Sequence, residues 1–181
     1  DDPAARVGLA DASVALSDWA GARAALEPLH RLGVPPRVER ALRLADLAER
    51  AGDPAGAIPF AVAALELGAA GTDATRAYAT LGRLHHLRGD YRAEIRVLLE
   101  AANDERIEEP PSARAGRLVT AADLMRRRLD QVAEAEALYE RALTVDPLQI
   151  AALDALEAML DAERQPERLA QIGRASCRER V

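Results

Sequence analysis

The chain has 181 residues, with 24 basic and 30 acidic side chains, a net charge of −6, 49% hydrophobic positions and only 3% aromatic ones. This length is enough for one or two domains with a buried core, while the acidic charge and the scarcity of aromatic rings exclude a typical nucleic-acid-binding surface. The 41 Ala and 25 Leu residues indicate an all-α fold, and the use of Arg at all 24 basic positions is typical of a GC-rich bacterial genome.

Turn signals divide the chain at a regular distance and predict its helices. Each signal pairs a residue that ends one helix, often Gly in the left-handed conformation, with a residue that caps the next helix, often Asp. The capping positions are Asp18, Asp53, Asp90, Gln131 and Gln165, which lie 35, 37, 41 and 34 residues apart. With a second set of breaks between them, they predict ten helices, over residues 3–16, 19–32, 36–51, 54–69, 73–88, 91–105, 112–129, 132–144, 147–162 and 166–171.

The apolar residues of these helices predict how the helices pack. Leu and Ala recur at spacings of three and four, so each helix carries one apolar stripe. One helix pair alone cannot bury its stripes, whereas stacked pairs can. We therefore predict an all-α solenoid of stacked antiparallel helix pairs. The five pairs cover residues 1–34, 35–71, 72–109, 110–147 and 148–171.

The repeats resemble the tetratricopeptide repeat (TPR) in degenerate form. Tyr78-x-x-Leu81-Gly82-x-x-His85 is similar to the first helix of that repeat. Ala135-x-x-x-Tyr139-x-x-Ala142, followed by Asp146-Pro147, is similar to its second helix and its end. Weaker copies begin at Ala22 and Ala57. The resemblance implies a right-handed superhelix whose first helices line a concave, partner-binding groove.

Several residues depart from the TPR pattern. Glu94 stands where the family has a small residue, so its carboxylate needs solvent or an Arg partner. Pro28 and Pro59 fall within second helices and predict kinks or early ends. Glu108-Glu109-Pro110-Pro111 predicts a longer loop before the fourth pair.

The sequence offers no set of residues for catalysis, a cofactor or a metal. Adjacent residues on a helix diverge by about 100°, so His85 and His86 cannot both face one metal ion. The absence of Lys excludes a P-loop and a Schiff-base mechanism, and none of the four Ser residues lies in a nucleophile elbow. We therefore predict that the segment is not an enzyme.

The groove side of two first helices is the candidate binding surface. Residues at spacings of three, four and seven share a helix face. The candidate groove residues are Arg76, Arg83, His86, Arg117, Thr120 and Arg127. Arg binds carboxylates and phosphates through forked hydrogen bonds, so this strip predicts an acidic or phosphorylated peptide ligand. In the other interpretation, which the usual behaviour of charges on helix faces favours, Arg83 and Arg127 only pair with nearby carboxylates within the fold.

These patterns lead to one expected function and one alternative. We expect a non-catalytic scaffold or adaptor that binds a protein or peptide partner in the groove and uses no cofactor. Alternatively, the segment is the recruiting or sensory part of a larger enzyme or signalling protein whose catalytic domain lies outside it. No apolar run long enough for a membrane span and no signal peptide occur in this segment, so we expect a soluble segment. The compartment stays open, with the cytoplasm slightly favoured, because a chain that does not begin with Met says little about a leader.

The last ten residues, 172–181, have a different origin in our interpretation. They can be back-translated codon by codon into the start of a common sequencing adapter, which predicts a non-native tail. Cys177, the only cysteine, lies in this tail and then carries no information on redox compartment.

Overall fold

A computed structural model describes residues 2–162, and every regular element among them is an α-helix. The predicted tenth helix over 166–171 and the tail at 172–181 lie outside the described residues. We call α1, α3, α5, α7 and α9 the first helices and α2, α4, α6 and α8 the second helices of the pairs. The bounds are α1 Pro3–Ala15, α2 Trp19–Arg31, α3 Arg37–Arg50, α4 Pro54–Glu66, α5 Gly71–Leu87, α6 Tyr91–Asn103, α7 Pro111–Arg128, α8 Val132–Val145 and α9 Ile150–Ala162.

The observed helix bounds differ from the predicted ones in two informative places. Helix α9 begins at Ile150 rather than 147, because the Asp146 side chain accepts a hydrogen bond from the Leu148 N–H and holds a turn there. Pro59 does not end its helix, since α4 continues to Glu66. The carbonyl that loses its hydrogen-bond donor at Pro59 belongs to exposed Ala55, where water can replace the donor.

The corners at Asp18 and Asp53 follow the predicted chemistry. Asp18 and Asp53 each accept a hydrogen bond of 2.8 Å from the backbone N–H three residues later. Gly52 adopts a φ of +78° just before the Asp53 cap. At the fourth corner Asp130 itself takes a positive φ of 56°, and Gln131 makes no side-chain cap bond. The degenerate fourth corner is therefore closed by backbone geometry alone.

We expect two glycines, Gly8 and Gly21, to respond differently to substitution by Ala. A Cβ at Gly21 would lie 2.0 Å from Oδ2 of Asp18, so the carboxylate would have to leave its capping position, whereas a Cβ at Gly8 meets nothing within 4 Å. We expect Gly8→Ala to raise the free energy of unfolding by about 0.5–1 kcal/mol through helix propensity. In Gly21→Ala the lost cap should cancel that gain. Urea denaturation of both variants tests this, and equal stabilisation by the two would contradict the tight Asp18 cap.

The described residues form two compact units. The first unit comprises residues 2–90 with Glu105–Glu108, and the second comprises Tyr91–Asp104 with residues 109–162. In the first unit, consecutive helices from α1 to α5 pack on one another, and α3 also packs on α5. Its core is built from Ala and Leu: Ala10, Ala22, Ala25, Leu26, Leu29, Leu44 and Leu47 form one cluster, and Ala41, Leu42, Ala64 and Ala77 form another. The small side chains allow close packing of the helices.

The predicted long loop contributes a short segment to the first unit. Ile107 is 2% exposed, and the carbonyl of Arg106 accepts a hydrogen bond of 2.7 Å from the N–H of Gly71. Gly71 is the first residue of α5, and Ala70 before it provides no side-chain cap. The loop carbonyl therefore satisfies a backbone donor at the beginning of α5.

The second unit stacks α6, α7, α8 and α9 in chain order. Its core centres on Tyr139, which is fully buried among Ala and Leu residues of α7, α8 and α9. Glu94, on α6, is only 8% exposed, although Ala is the usual residue at its repeat position. The predicted fold class is confirmed for residues 2–162, which form an all-α solenoid of helix pairs.

Candidate interaction surface

The exposed face of α5 carries three of the six candidate groove residues. Helix α5 buries Ala74, Ala77, Tyr78, Leu81 and Leu84 on its opposite side. Arg76, Arg83 and His86 are exposed, as their three- and seven-residue spacing predicts. The only carboxylate of this helix is Asp73 in its first turn, so the exposed face is predominantly basic.

Arg83 makes an ion pair across two first helices. Its Nη1 binds Oε1 of Glu49 on α3, while half of the Arg83 side chain stays exposed (52%). A second such pair joins Nη2 of Arg43 on α3 to Oδ1 of Asp11 on α1. In the first unit, an Arg on one first helix thus binds a carboxylate on the preceding first helix.

The three candidate residues on α7 all contact partners within the second unit. Arg117 is 19% exposed and binds Glu109 at the end of the preceding loop, and that carboxylate is only 9% exposed. The hydroxyl of Thr120 donates to the carbonyl of Gly116 at 2.9 Å. Arg127 is 65% exposed, and its Nη2 lies 3.5 Å from Oδ1 of Asp123 one turn earlier. Of these three, Arg127 offers the most accessible charge.

A partly buried hydrogen bond close to Arg127 is not evident from the sequence. The hydroxyl of Tyr139 on α8 donates to Oδ1 of Asp123 on α7 at 2.7 Å. Burial and, next, this bond to a carboxylate raise the pKa of Tyr139 to about 12. Asp123 therefore links the buried core of the second unit to Arg127 on its surface.

Each unit contains the same contact between an arginine and an aromatic ring. The guanidinium of Arg50, at the end of α3, lies 5.1 Å from the centre of the Trp19 ring, at the beginning of α2. Arg128, at the end of α7, lies 5.0 Å from the centre of the Tyr91 ring, at the beginning of α6. Such contacts over a ring face stabilise by about 0.5–1 kcal/mol at exposed sites. The repeat of this contact links consecutive pairs.

A further polar cluster lies between the second helices α2 and α4. Arg23 binds Oδ2 of Asp53 at 2.7 Å and also lies over the Phe60 ring at 5.4 Å. The hydrogen bond from Arg23 and the N–H of Gly56 hold the pKa of Asp53 below its ordinary value. His30 meets the edge of Phe60 at 5.6 Å, and burial lowers the pKa of His30. This cluster joins α2 to the corner at Asp53.

Among residues 2–162, no group of three or more His, Cys, Asp or Glu side chains is arranged to hold a metal ion. Over that range, too, no helix has both the length and the apolar character needed to cross a membrane.

Comparison with known proteins places the fold but not a family. No protein-family model matches the sequence, and no curated protein matches it. Two crystal structures of MamA, a TPR-like solenoid of helical repeats, are similar to the chain. One aligns with a TM-score of 0.57 at 17% identity over 96% of this chain and 89% of that one. The other aligns with a TM-score of 0.55 at 17% identity over 95% and 94%. At this identity the likeness concerns the fold.

Proposed function

We propose that the chain is a non-catalytic, TPR-like interaction scaffold and that the basic face of α5 binds an acidic segment of a partner protein. The single observation that carries this proposal is the set of Arg76, Arg83 and His86, exposed on one side of α5 with one carboxylate on the whole helix. An Arg pair separated by two helical turns suits an elongated ligand with several carboxylates. The solenoid fold supports this role, because stacked pairs present extended surfaces.

The ion pair with Glu49 sets the strength of this binding. Arg83 is already bound to a carboxylate, so an acidic ligand has to replace Glu49 or share the guanidinium with it. Arg presents five donors, which allows such sharing. The side chain of Glu49 is 20% exposed, so the pair lies partly out of solvent and competes effectively. We infer that Glu49 limits the affinity and favours ligands with several acidic residues.

Substitutions at this pair should change ligand affinity in opposite directions. We expect Glu49→Gln to tighten binding of a fluorescein-labelled oligoglutamate peptide about threefold, because Arg83 loses its internal partner. Arg83→Glu combined with Arg76→Glu should weaken binding at least about tenfold, because both cations are reversed. Fluorescence anisotropy at low and at physiological salt measures both changes, and binding by the unsubstituted chain should weaken as salt rises.

Arg31→Glu is the matched control for this experiment. Arg31 lies on α2, is 72% exposed and makes an ion pair of 2.9 Å within its own helix, to Glu27. Its reversal changes the net charge by the same amount per residue as Arg83→Glu, but away from α5. The control is compared with the single variant Arg83→Glu. Equal weakening of peptide binding by Arg31→Glu and by Arg83→Glu would mean that net charge alone attracts the peptide. No change in Glu49→Gln would mean that Arg83 only pairs within the fold.

A further inference from the structure

The last residue of α5 is an exposed leucine on the same side as the basic face of that helix. Leu87 retains 65% of its surface. It follows Arg83 by four residues and Arg76 by eleven, which is about three turns, so the three side chains lie in one line along the helix. The basic face of α5 therefore ends in an apolar side chain.

Two other first helices end in an arginine at the equivalent position. Arg50 ends α3 and Arg128 ends α7, each three residues before the capping position of its corner, as Leu87 does in α5. Each guanidinium lies over the ring of the residue that begins the preceding second helix, Trp19 at 5.1 Å and Tyr91 at 5.0 Å. The position is therefore used for a contact within the fold in these two pairs.

Helix α5 cannot make this contact. The second helix before it, α4, begins with Pro54, which offers no ring, and Leu87 brings no charge. A single exposed Leu on a protein surface needs no explanation. Here, however, the apolar side chain stands in place of an Arg, at the end of a basic helix face, and lacks the internal contact of its equivalents.

The line of three side chains has two different ends, which a ligand can match. A helix rises by about 1.5 Å per residue, so Arg76 and Arg83 lie about 10.5 Å apart along the axis and Leu87 lies about 6 Å further on. The carboxylate of Asp73 lies in the first turn of α5, at the other end from Leu87. Because an extended chain advances by about 3.3 Å per residue, a ligand segment of about six residues can face both cations and the leucine.

A ligand of carboxylates alone leaves Leu87 without a complementary group. A carboxylate beside Leu87 would lose hydration and find no donor on that side chain. An apolar ligand side chain at the same place removes two apolar surfaces from water. It also keeps water away from the neighbouring carboxylate bound to Arg83, which strengthens the attraction between these charges.

We propose that the basic face of α5 selects acidic segments that carry an apolar side chain at one end, which packs on Leu87 while carboxylates bind Arg76 and Arg83. This inference rests on the proposed function, because the two cations provide the attraction and Leu87 adds selectivity among acidic partners. The order of cation, cation and leucine also sets the direction in which the ligand lies along α5.

Four short acidic peptides with blocked termini test the apolar contact. Each has about six residues, all Glu except for one Leu or one Ser at either the N-terminal or the C-terminal end, so all four carry the same charge. Displacement of fluorescein-labelled oligoglutamate from the unsubstituted chain, followed by fluorescence anisotropy, measures their affinities. At one of the two ends we expect the Leu peptide to bind at least about fivefold more tightly than the Ser peptide.

Substitution of Leu87 locates the apolar contact. In Leu87→Ser the ratio of the two affinities should fall to about one, because the surface that distinguishes the Leu peptide from the Ser peptide is lost. Leu32→Ser is the matched control, since Leu32 is 73% exposed directly after α2 and lies on another helix pair. This control should keep the ratio. Leu87 is exposed, so Leu87→Ser should fold, as far-UV circular dichroism can verify.

Three results would overturn the inference. Equal affinities of the Leu and Ser peptides at both ends would show that Leu87 adds no selectivity, while the basic face of α5 would still bind acidic ligands. A ratio that Leu87→Ser leaves unchanged, or that Leu32→Ser lowers as much, would place the apolar contact elsewhere. No binding of the labelled oligoglutamate to the unsubstituted chain would contradict the proposed function itself and this inference with it.

Discussion

Tyr139→Ala should lower the free energy of unfolding of the second unit by about 3–5 kcal/mol, the range observed when a large buried aromatic side chain is truncated. Tyr139 is 0% exposed and lies at the centre of the core that joins α7, α8 and α9. Removal of its ring leaves a cavity lined mainly by small Ala side chains, which cannot move in to fill the space. The variant also leaves Asp123 without its buried hydrogen-bond donor. Urea denaturation followed by far-UV circular dichroism measures the loss.

Tyr139→Phe distinguishes the contribution of the ring to stability from that of the hydroxyl. This variant keeps the packing and loses only the hydrogen bond to Asp123, so we expect a cost of about 1.5–3 kcal/mol, the range for bonds to charged groups. If Tyr139→Ala were no more destabilising than Tyr139→Phe, the ring would contribute little to the core and the packing argument would fail.

Comparison of the unsubstituted chain with Tyr139→Phe also tests the pKa of Tyr139. Its pKa is raised to about 12 in the folded chain from an ordinary value of 10.0. Between these two pH values the unfolded chain binds fewer protons than the folded chain, so stability falls as pH rises through this window. Below pH 10 the stabilisation linked to the raised pKa of Tyr139 is fully present. Tyr139→Phe lacks this group, so its stability should fall less steeply above pH 10, and parallel curves would contradict the raised pKa.

Arg40→Ala is expected to have the second-largest effect, a loss of about 2–3 kcal/mol in the first unit. Arg40 on α3 is 6% exposed, and its guanidinium donates to the carbonyls of Val34 and, at 3.0 Å, Pro35. Both acceptors lie in the connection between α2 and α3. Without Arg40 the half-buried Val34 carbonyl loses a donor that water cannot readily replace. Thermal and urea denaturation measure the change.

Two further variants test the role of Arg40. Arg40→Lys keeps the charge but cannot reach both carbonyls in a fork, so it should recover only part of the stability. Arg37→Ala, an exposed position on the same helix, should have an effect close to zero. After burial, Arg40 is the strongest influence that lowers the pKa of His30, so Arg40→Ala should also raise that pKa in an NMR titration. An unchanged His30 pKa would show that the guanidinium does not face His30.

The sequence predicted the helices well because their signals are local. The corner at Asp53 depends on residues 52–56, and the apolar stripes depend on spacings within one helix. For this reason the predicted bounds of the nine described helices lie within three residues of the observed ones. The exposed positions on α5 were predictable for the same reason, since one stripe of buried residues fixes the opposite face.

Contacts between helices could not be predicted in the same way. Asp123 and Tyr139 lie 16 residues apart, and Arg83 and Glu49 lie 34 apart, and no local pattern indicates which carboxylate each side chain will meet. Glu105–Glu108 also belong to the first unit, where the N–H of Gly71, distant in sequence, donates a hydrogen bond to the carbonyl of Arg106. The charge of Arg117 suggested a surface residue, yet its partner Glu109 keeps it mostly out of solvent.

The position of Trp19 allows unfolding of part of the first unit to be followed by its fluorescence. Trp19 is the only tryptophan of the chain, and it is half-buried at the beginning of α2 beneath Arg50 of α3. Its emission therefore reports on one junction, between two neighbouring repeats of the first unit. Emission and helical ellipticity recorded in the same titration would reveal whether this junction melts with the rest of the helices or ahead of them, with no label attached to the chain.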